Sequence, residues 1–169
     1  LLDINVMGTF RVNQAFLPLL QSGARIVNIS SETGWQSGGP FNGAYAMSKH
    51  AIEAYSDSLR RELCFLGIAV IKIQPGPFKT EMVGSIEQNF SRAIADTKHF
   101  SKQLTRIKAL AMNEQNKAHD PAILASAVYK ALTVKKPKPA YSVKADPARS
   151  FLEWFPTAWA DGLLKKVLG

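Results

Sequence analysis

Apolar residues recur at intervals of three and four over 4–20 (Ile4, Val6, Met7, Phe10, Val12, Ala15, Phe16, Leu19, Leu20). That period predicts a buried helix, ended by Gln21, Ser22 and Gly23. Ile26, Val27 and Ile29 form a short apolar run, and 68–73 (Ile-Ala-Val-Ile-Lys-Ile) forms another. Both read as strands of a parallel sheet, whose buried strands lack alternation. Between them, 32–43 carries Gly34, Gly38, Gly39, Pro40 and Gly43 and predicts a loop. Good helix formers (Ala44, Ala46, Ala51, Ala54, Leu59, Leu63) predict a long helix over 44–65, stopped by Gly67. Residues 78–118 are polar and weakly patterned, which predicts short helices on a mobile segment. Asp120 and Pro121 predict a helix start, running to Leu132, followed by a short strand at 140–143 and a helical aromatic tail at 147–168 broken by Pro156. This alternation of helix and strand is the rhythm of an α/β doubly wound sheet.

Composition narrows the field. The chain has 169 residues, 46% hydrophobic and 20% charged, which suits one domain and excludes disorder. No apolar run approaches the roughly 20 residues of a membrane helix. The single cysteine, Cys64, excludes an internal disulfide framework, and His50, His99 and His119 have no partners at metal-ligand spacing, so no metal site is expected. A reducing, cytoplasmic compartment is the expectation. The net charge of +8 raises nucleic acid or an anionic surface as partner. The Lys130, Lys135, Lys136, Lys138 cluster is short and broken by prolines, and no nucleic-acid motif accompanies it, so no nucleic-acid role is expected. The aromatic tail (Phe151, Trp154, Phe155, Trp159) ends in Lys165 and Lys166 and suits packing over a pocket, a second subunit or a membrane surface. The chain opens on Leu1 inside a predicted helix, with its first methionine at Met7, so a longer gene product is expected.

The sharpest chemistry lies at Tyr45 and Lys49, four apart on one helix face. A phenol with a pKa near 10 is a poor base at neutral pH. An ammonium beside it stabilises the phenolate, by up to about 4 kcal/mol at 4 Å and an effective dielectric of 20. Ser30 and Ser31 close the preceding strand, and ligands of such sheets sit beyond the carboxyl ends of the strands.

Four segments then carry a resemblance: Asn5-Val-Met-Gly8, Ile26-Val-Asn-Ile-Ser-Ser31, Tyr45-Ala-Met-Ser-Lys49 and Gln74-Pro-Gly-Pro-Phe-Lys-Thr80. In order and spacing the chain resembles the short-chain dehydrogenases/reductases, most closely over residues 1–80. The resemblance implies a Rossmann-like doubly wound parallel sheet. It implies Tyr45 as acid/base, Lys49 on the nicotinamide ribose and beside the phenol, Ser31 on the substrate oxygen, and Asn5 holding a relay water. Pro75 and Gly76 would border the nicotinamide of NAD or NADP, and Thr80 would contact it. The implied reaction is interconversion of an alcohol and a ketone or aldehyde. Helices 4–20 and 44–65 would face a second copy.

The glycine-rich turn between first strand and first helix is missing, so the sequence reads as the C-terminal half of the fold. Its parts are catalytic motifs at 1–77, a substrate lid at 78–118 and a C-terminal segment at 119–169. Thr33 to Pro40 imitates the turn, but Pro40 stands where a helix would open onto phosphate. Without the earlier strands, 26–29 has an unpaired edge, and aggregation or weak cofactor binding is expected of these residues alone. Trp35, Phe41, Phe78 and Met82 flank the motifs and predict an apolar pocket for a steroid-, retinoid- or fatty-type substrate. Simple lid packing is the competing reading. The competing functions are a non-catalytic dinucleotide-binding relative and an inactive fragment.

Overall fold

The computed structural model describes residues 1–80 and 82–169, with the side chains of Met82 and Val83 outside the description. The chain divides into two compact units. One holds Leu1–Gly76 and Ala122–Asp146, and the other holds Pro77–Pro121 and Pro147–Gly169.

The first unit contains a three-stranded parallel sheet, β1 (Arg25–Ile29), β2 (Ala69–Pro75) and β3 (Ala140–Val143), in that spatial order. Arg25 pairs with Ala69 and Ile29 with Ile73, and Lys72 to Pro75 pair with Ala140 to Val143. The central strand β2 is the buried one, with Ile73 fully enclosed. β1 departs from the expectation of full burial. It lies at the sheet edge, its burial alternates, and Ile29 is 46% exposed. A strand paired on one side only is covered on the faces that its neighbours reach.

The helix α2 (Gly43–Leu63) connects β1 to β2, continuing as a single tight turn over Cys64–Leu66. Gly67 stops it at φ 69°, a left-handed conformation that side chains resist, and a Cβ there would meet the Ser22 hydroxyl at 2.5 Å. Leu59 and Leu63 of α2 pack with Ile26 and Val70 of the sheet and with Ile68 just before β2 into the core, and Leu17, Leu20 and Tyr55 close over it. The helix α5 (Pro121–Thr133) is tied to β1 by Arg25, whose guanidinium donates to the carbonyls of Ala131 and Val134 at 2.7 and 2.6 Å. A cation at a helix C-terminus satisfies carbonyls left without intrahelical partners.

Residues 3–19 are helical, as the period predicts, but not buried. The segment is a π-helical turn (Asp3–Gly8), α1 (Thr9–Phe16) and a 3₁₀ turn (Leu17–Leu19), and none of its residues is buried. Phe10 stacks edge-on against Tyr55 and Asn13 reaches Asn28, while Ile4 and Leu19 are over 70% exposed. The apolar stripe is real, but the described chain offers neighbours to only part of it.

In the second unit, 82–116 forms two substantial helices, α3 (Met82–Asp96) and α4 (Ser101–Asn116), where short ones were expected. Lys108 joins them through Glu87 and Ser91. The tail forms α6 (Pro147–Leu152) and α7 (Thr157–Leu168), with Pro156 at the start of α7. Arg106 holds the carbonyls of Val167 and Gly169. No helix among the described residues is long and apolar enough to cross a membrane.

Candidate active site

Tyr45 and Lys49 occupy the first turns of α2 and are both half-buried. Their four-residue spacing stacks them on one face, and the Lys49 ammonium stands 5.7 Å from the Tyr45 ring centroid, within cation–π range. The same ammonium donates to the carbonyl of Ile29, the last residue of β1, at 3.4 Å. The pair therefore stands at the carboxyl end of the sheet. Burial holds the pKa of Lys49 below the ordinary lysine value, because a half-enclosed ammonium loses hydration.

Ser30 and Ser31 follow directly and are both buried. The Ser30 hydroxyl points at the Lys49 carbonyl, 3.5 Å away. The Ser31 oxygen accepts the Thr33 N–H at 3.2 Å and caps a 3₁₀ turn over Glu32–Gly34. Accepting that bond leaves the Ser31 proton able to donate. Gly34 sits so close beneath α2 that a Cβ would lie 2.6 Å from Ser30 Oγ and 3.0 Å from the Lys49 carbonyl.

Asn5 lies within the π-helical turn, a distortion that often marks functional positions. Its amide donates to the Ser48 hydroxyl at 3.3 Å, and Ser48 donates in turn to the Tyr45 carbonyl at 2.7 Å. Ser48 is fully buried and joins Asn5 to the helix that carries Tyr45 and Lys49. Sequence reading passed over it, although a serine between Tyr45 and Lys49 was its one visible signal. Asn28 likewise braces side chains, taking a bond from Asn13 and giving one to Ser56.

Pro75 ends β2, and the Gly76 N–H donates to Val143 at 2.9 Å. Trp35 and Phe41, both more than a third exposed, lie on the loop between Ser31 and Tyr45, and Phe41 takes a left-handed φ of 60°. Asn5, Ser31, Trp35, Phe41, Tyr45, Lys49, Pro75 and Gly76 thus share the first unit. Phe78 and Thr80 belong to the second, where Phe78 is buried against the His119 ring. The Met82 side chain lies outside the described residues. Cys64 is exposed and free. Among the described residues, no three His, Cys, Asp or Glu side chains gather as metal ligands.

The family profile described as short chain dehydrogenase matches residues 1–90. Retinol dehydrogenase 7 of Mus musculus is 32% identical over 97% of this chain and 55% of its own length. Retinol dehydrogenase 16 of Homo sapiens is also 32% identical, over the same shares. Among solved structures, a short chain dehydrogenase from Burkholderia cenocepacia in complex with NADP superposes with a TM-score of 0.63 at 21% identity, covering 99% of this chain and 57% of that one. The chain spans about half the length of the curated relatives it matches. It belongs to the short-chain dehydrogenase family.

Proposed function

We propose that the protein carrying this chain is an NAD(P)-dependent oxidoreductase that interconverts an alcohol with a ketone or aldehyde. The observation that supports it most is the Tyr45–Lys49 pair, ring and ammonium 5.7 Å apart, beside the last carbonyl of β1. The Tyr45 hydroxyl gives a proton to, or takes one from, the substrate oxygen. The Ser31 hydroxyl holds the same oxygen. Proton transfer by a positioned side chain contributes about 10²–10⁴-fold. Asn5, anchored through Ser48, holds the water that carries protons between Lys49 and solvent.

The residues present fit the nicotinamide riboside end of the cofactor. Lys49 has three N–H donors and spends one on a long bond to Ile29, which leaves donors for ribose hydroxyls. Pro75 ends the central strand and Gly76 follows it, at the carboxyl end where ligands of such sheets collect. No glycine-rich strand-to-helix turn occurs in the sequence, so the diphosphate is assigned no cradle here. When bound, the nicotinamide supplies the redox chemistry, exchanging a hydride with the carbinol carbon.

A lipophilic substrate fits the exposed apolar side chains Trp35 and Phe41 on the loop between Ser31 and Tyr45. Two mammalian relatives are retinol dehydrogenases by name, which supports that substrate class. The exposed apolar side chains of the 4–20 segment and of α2 (Ile4, Phe16, Met47) suit contact with a second copy. Trp154 and Trp159, 87% and 70% exposed on the tail, suit a membrane surface.

The test is an assay of the full-length gene product with oxidised nicotinamide and a panel of lipophilic alcohols. Alcohol-dependent appearance of reduced nicotinamide, lost in Tyr45→Phe, is expected. Cofactor binding with no turnover on any alcohol or ketone would instead identify a non-catalytic dinucleotide-binding protein.

A further inference from the structure

Lys72 is the one charged residue in β2, and it is only 9% exposed. Its ammonium lies 2.8 Å from Glu53 Oε2 and 2.9 Å from Asp57 Oδ1, both on α2. Gln74, two residues along β2, donates to the same Glu53 oxygen at 3.0 Å. Glu53 is 8% exposed, and its other oxygen is buried without a hydrogen-bond partner among the described residues. Tyr45, Lys49, Glu53 and Asp57 follow one another at intervals of four along α2, so the ion cluster continues the stripe of the reactive pair.

Stability alone does not explain this arrangement. A buried ion pair replaced by apolar side chains of similar volume is often neutral or more stable. What the cluster adds is register. One ammonium holds carboxylates from two successive turns of α2. A slip of α2 by one residue moves each carboxylate by about 1.5 Å along the axis and about 100° around it, which breaks at least one of the two grips. Gly34 removes the remaining slack. A Cβ there would lie 3.0 Å from Glu53 Cγ and 3.0 Å from the Lys49 carbonyl, so the turn after Ser31 is packed at the level between the two side chains.

We propose that Lys72, clasped by Glu53 and Asp57, is a positioning residue that fixes the rotation and height of α2 on β2 and thereby the placement of Tyr45 and Lys49 at the carboxyl edge of the sheet. Burial works against the Lys72 ammonium, but hydrogen bonds to Glu53 and Asp57 outweigh it and raise its pKa. The catalytic consequence rests on the function proposed above; the register itself does not.

The test pairs hydrogen exchange with steady-state kinetics on the full-length protein. In the double variant Lys72→Met/Glu53→Gln no buried charge is stranded, because Asp57 keeps Arg60 at 3.5 Å. This variant is expected to melt close to wild type, while amides over 43–49 exchange about tenfold faster, the signature of a loosened local unit. It is also expected to lose about tenfold in kcat, since small misplacements of reacting groups are costly. Lys72→Arg, which keeps charge and reach to both carboxylates, restores both readouts. Wild-type exchange over 43–49 in the double variant overturns the proposal. Asp57→Asn, at the more exposed end, releases one grip without threatening the fold. It is expected to speed the same amides by a smaller factor, and unchanged exchange there also overturns the proposal. If the wild-type protein turns over no alcohol, the functional reading fails and the exchange measurement alone decides the lock.

Discussion

The ammonium of Lys49 lies 5.7 Å from the centre of the Tyr45 ring, one turn further along α2. Contact between them is made through the ring face, so it survives loss of the phenolic hydroxyl. Tyr45→Phe is therefore expected to keep the melting temperature of the wild type and to lose about 10²–10⁴-fold in kcat, the contribution of a positioned proton donor. Steady-state rates beside a circular-dichroism melt check this. Retention of most activity would show that the proton comes from elsewhere.

Lys49 is a site where chemistry opposes stability. Burial lowers its folded pKa below the ordinary value of 10.5. Between the lowered value and 10.5 the unfolded chain binds more protons than the folded one, so stability rises with pH across that window. Below the window the full cost of enclosing the ammonium is present. Lys49→Met is expected to raise the melting temperature at neutral pH, to flatten the gain in stability toward alkaline pH, and to remove activity. Denaturant melts across the pH range measure it. A lowered melting temperature would mean that the ammonium's contacts outweigh its desolvation.

How much of this was legible in the sequence depended on the distance over which each feature is made. Tyr45 and Lys49 were readable because helical geometry alone brings residues four apart together. β2 and the Gly67 stop were readable because apolar runs and left-handed glycines are local signals. The links from Asn5 to Ser48 and from Lys72 to Glu53 join residues far apart in sequence and exist only once α2 lies on the sheet. Lys72 did interrupt an apolar run, and that interruption was the available clue. The helix α4 was underestimated because its faces are mostly polar, with Leu104 its buried residue, whereas α3 carries Ile86, Phe90 and Ile94 at helical spacing, a signal that the reading of 78–118 as weakly patterned passed over. The 4–20 segment was expected to be buried because period reports which face is apolar, not what covers it.

Acid should loosen the grip of Lys72 on α2. Burial raises the pKa of Asp57, but its hydrogen bond and charge interaction with Lys72, aided by Arg60, outweigh burial and leave it below 3.8. A depressed carboxylate contributes stability that is complete above 3.8 and is lost as pH falls through the folded value. Lys72 is the reverse case: its raised pKa contributes stability that is complete below 10.5 and is lost as pH climbs past the folded value. Asp57→Asn is expected to be less stable than wild type at neutral pH and to converge with it as pH falls below 3.8 and the wild-type carboxyl takes up its proton. Unfolding free energies of the two proteins at several pH values give the comparison, and a gap that stays constant on acidification would contradict it.

Gly76 offers a test of the packing beyond the end of β2. A Cβ there would lie 2.0 Å from the carbonyl oxygen of Lys144 and 3.2 Å from the Ala145 Cα. Both are backbone atoms, so no flexible side chain can swing aside. The loop cannot easily retreat either. Gly76 N–H is bonded to Val143 at 2.9 Å, and the Asp146 N–H donates to the buried carboxylate of Glu32 at 2.7 Å. Lys144 itself already holds a φ of 57°, a conformation that a non-glycine residue keeps only where its surroundings dictate it. Gly76→Ala is therefore expected to cost about 1–3 kcal/mol, in the range of forced overpacking. Gly162 in α7 is the control: nothing lies within 4 Å of its added Cβ. Gly162→Ala is expected to stabilise by about 0.5–1 kcal/mol, the gain from removing glycine inside a helix. Denaturant melts of both variants report the contrast. Equal effects at the two positions would mean that the 144–146 loop yields, and that Glu32 does not hold it against the strand end.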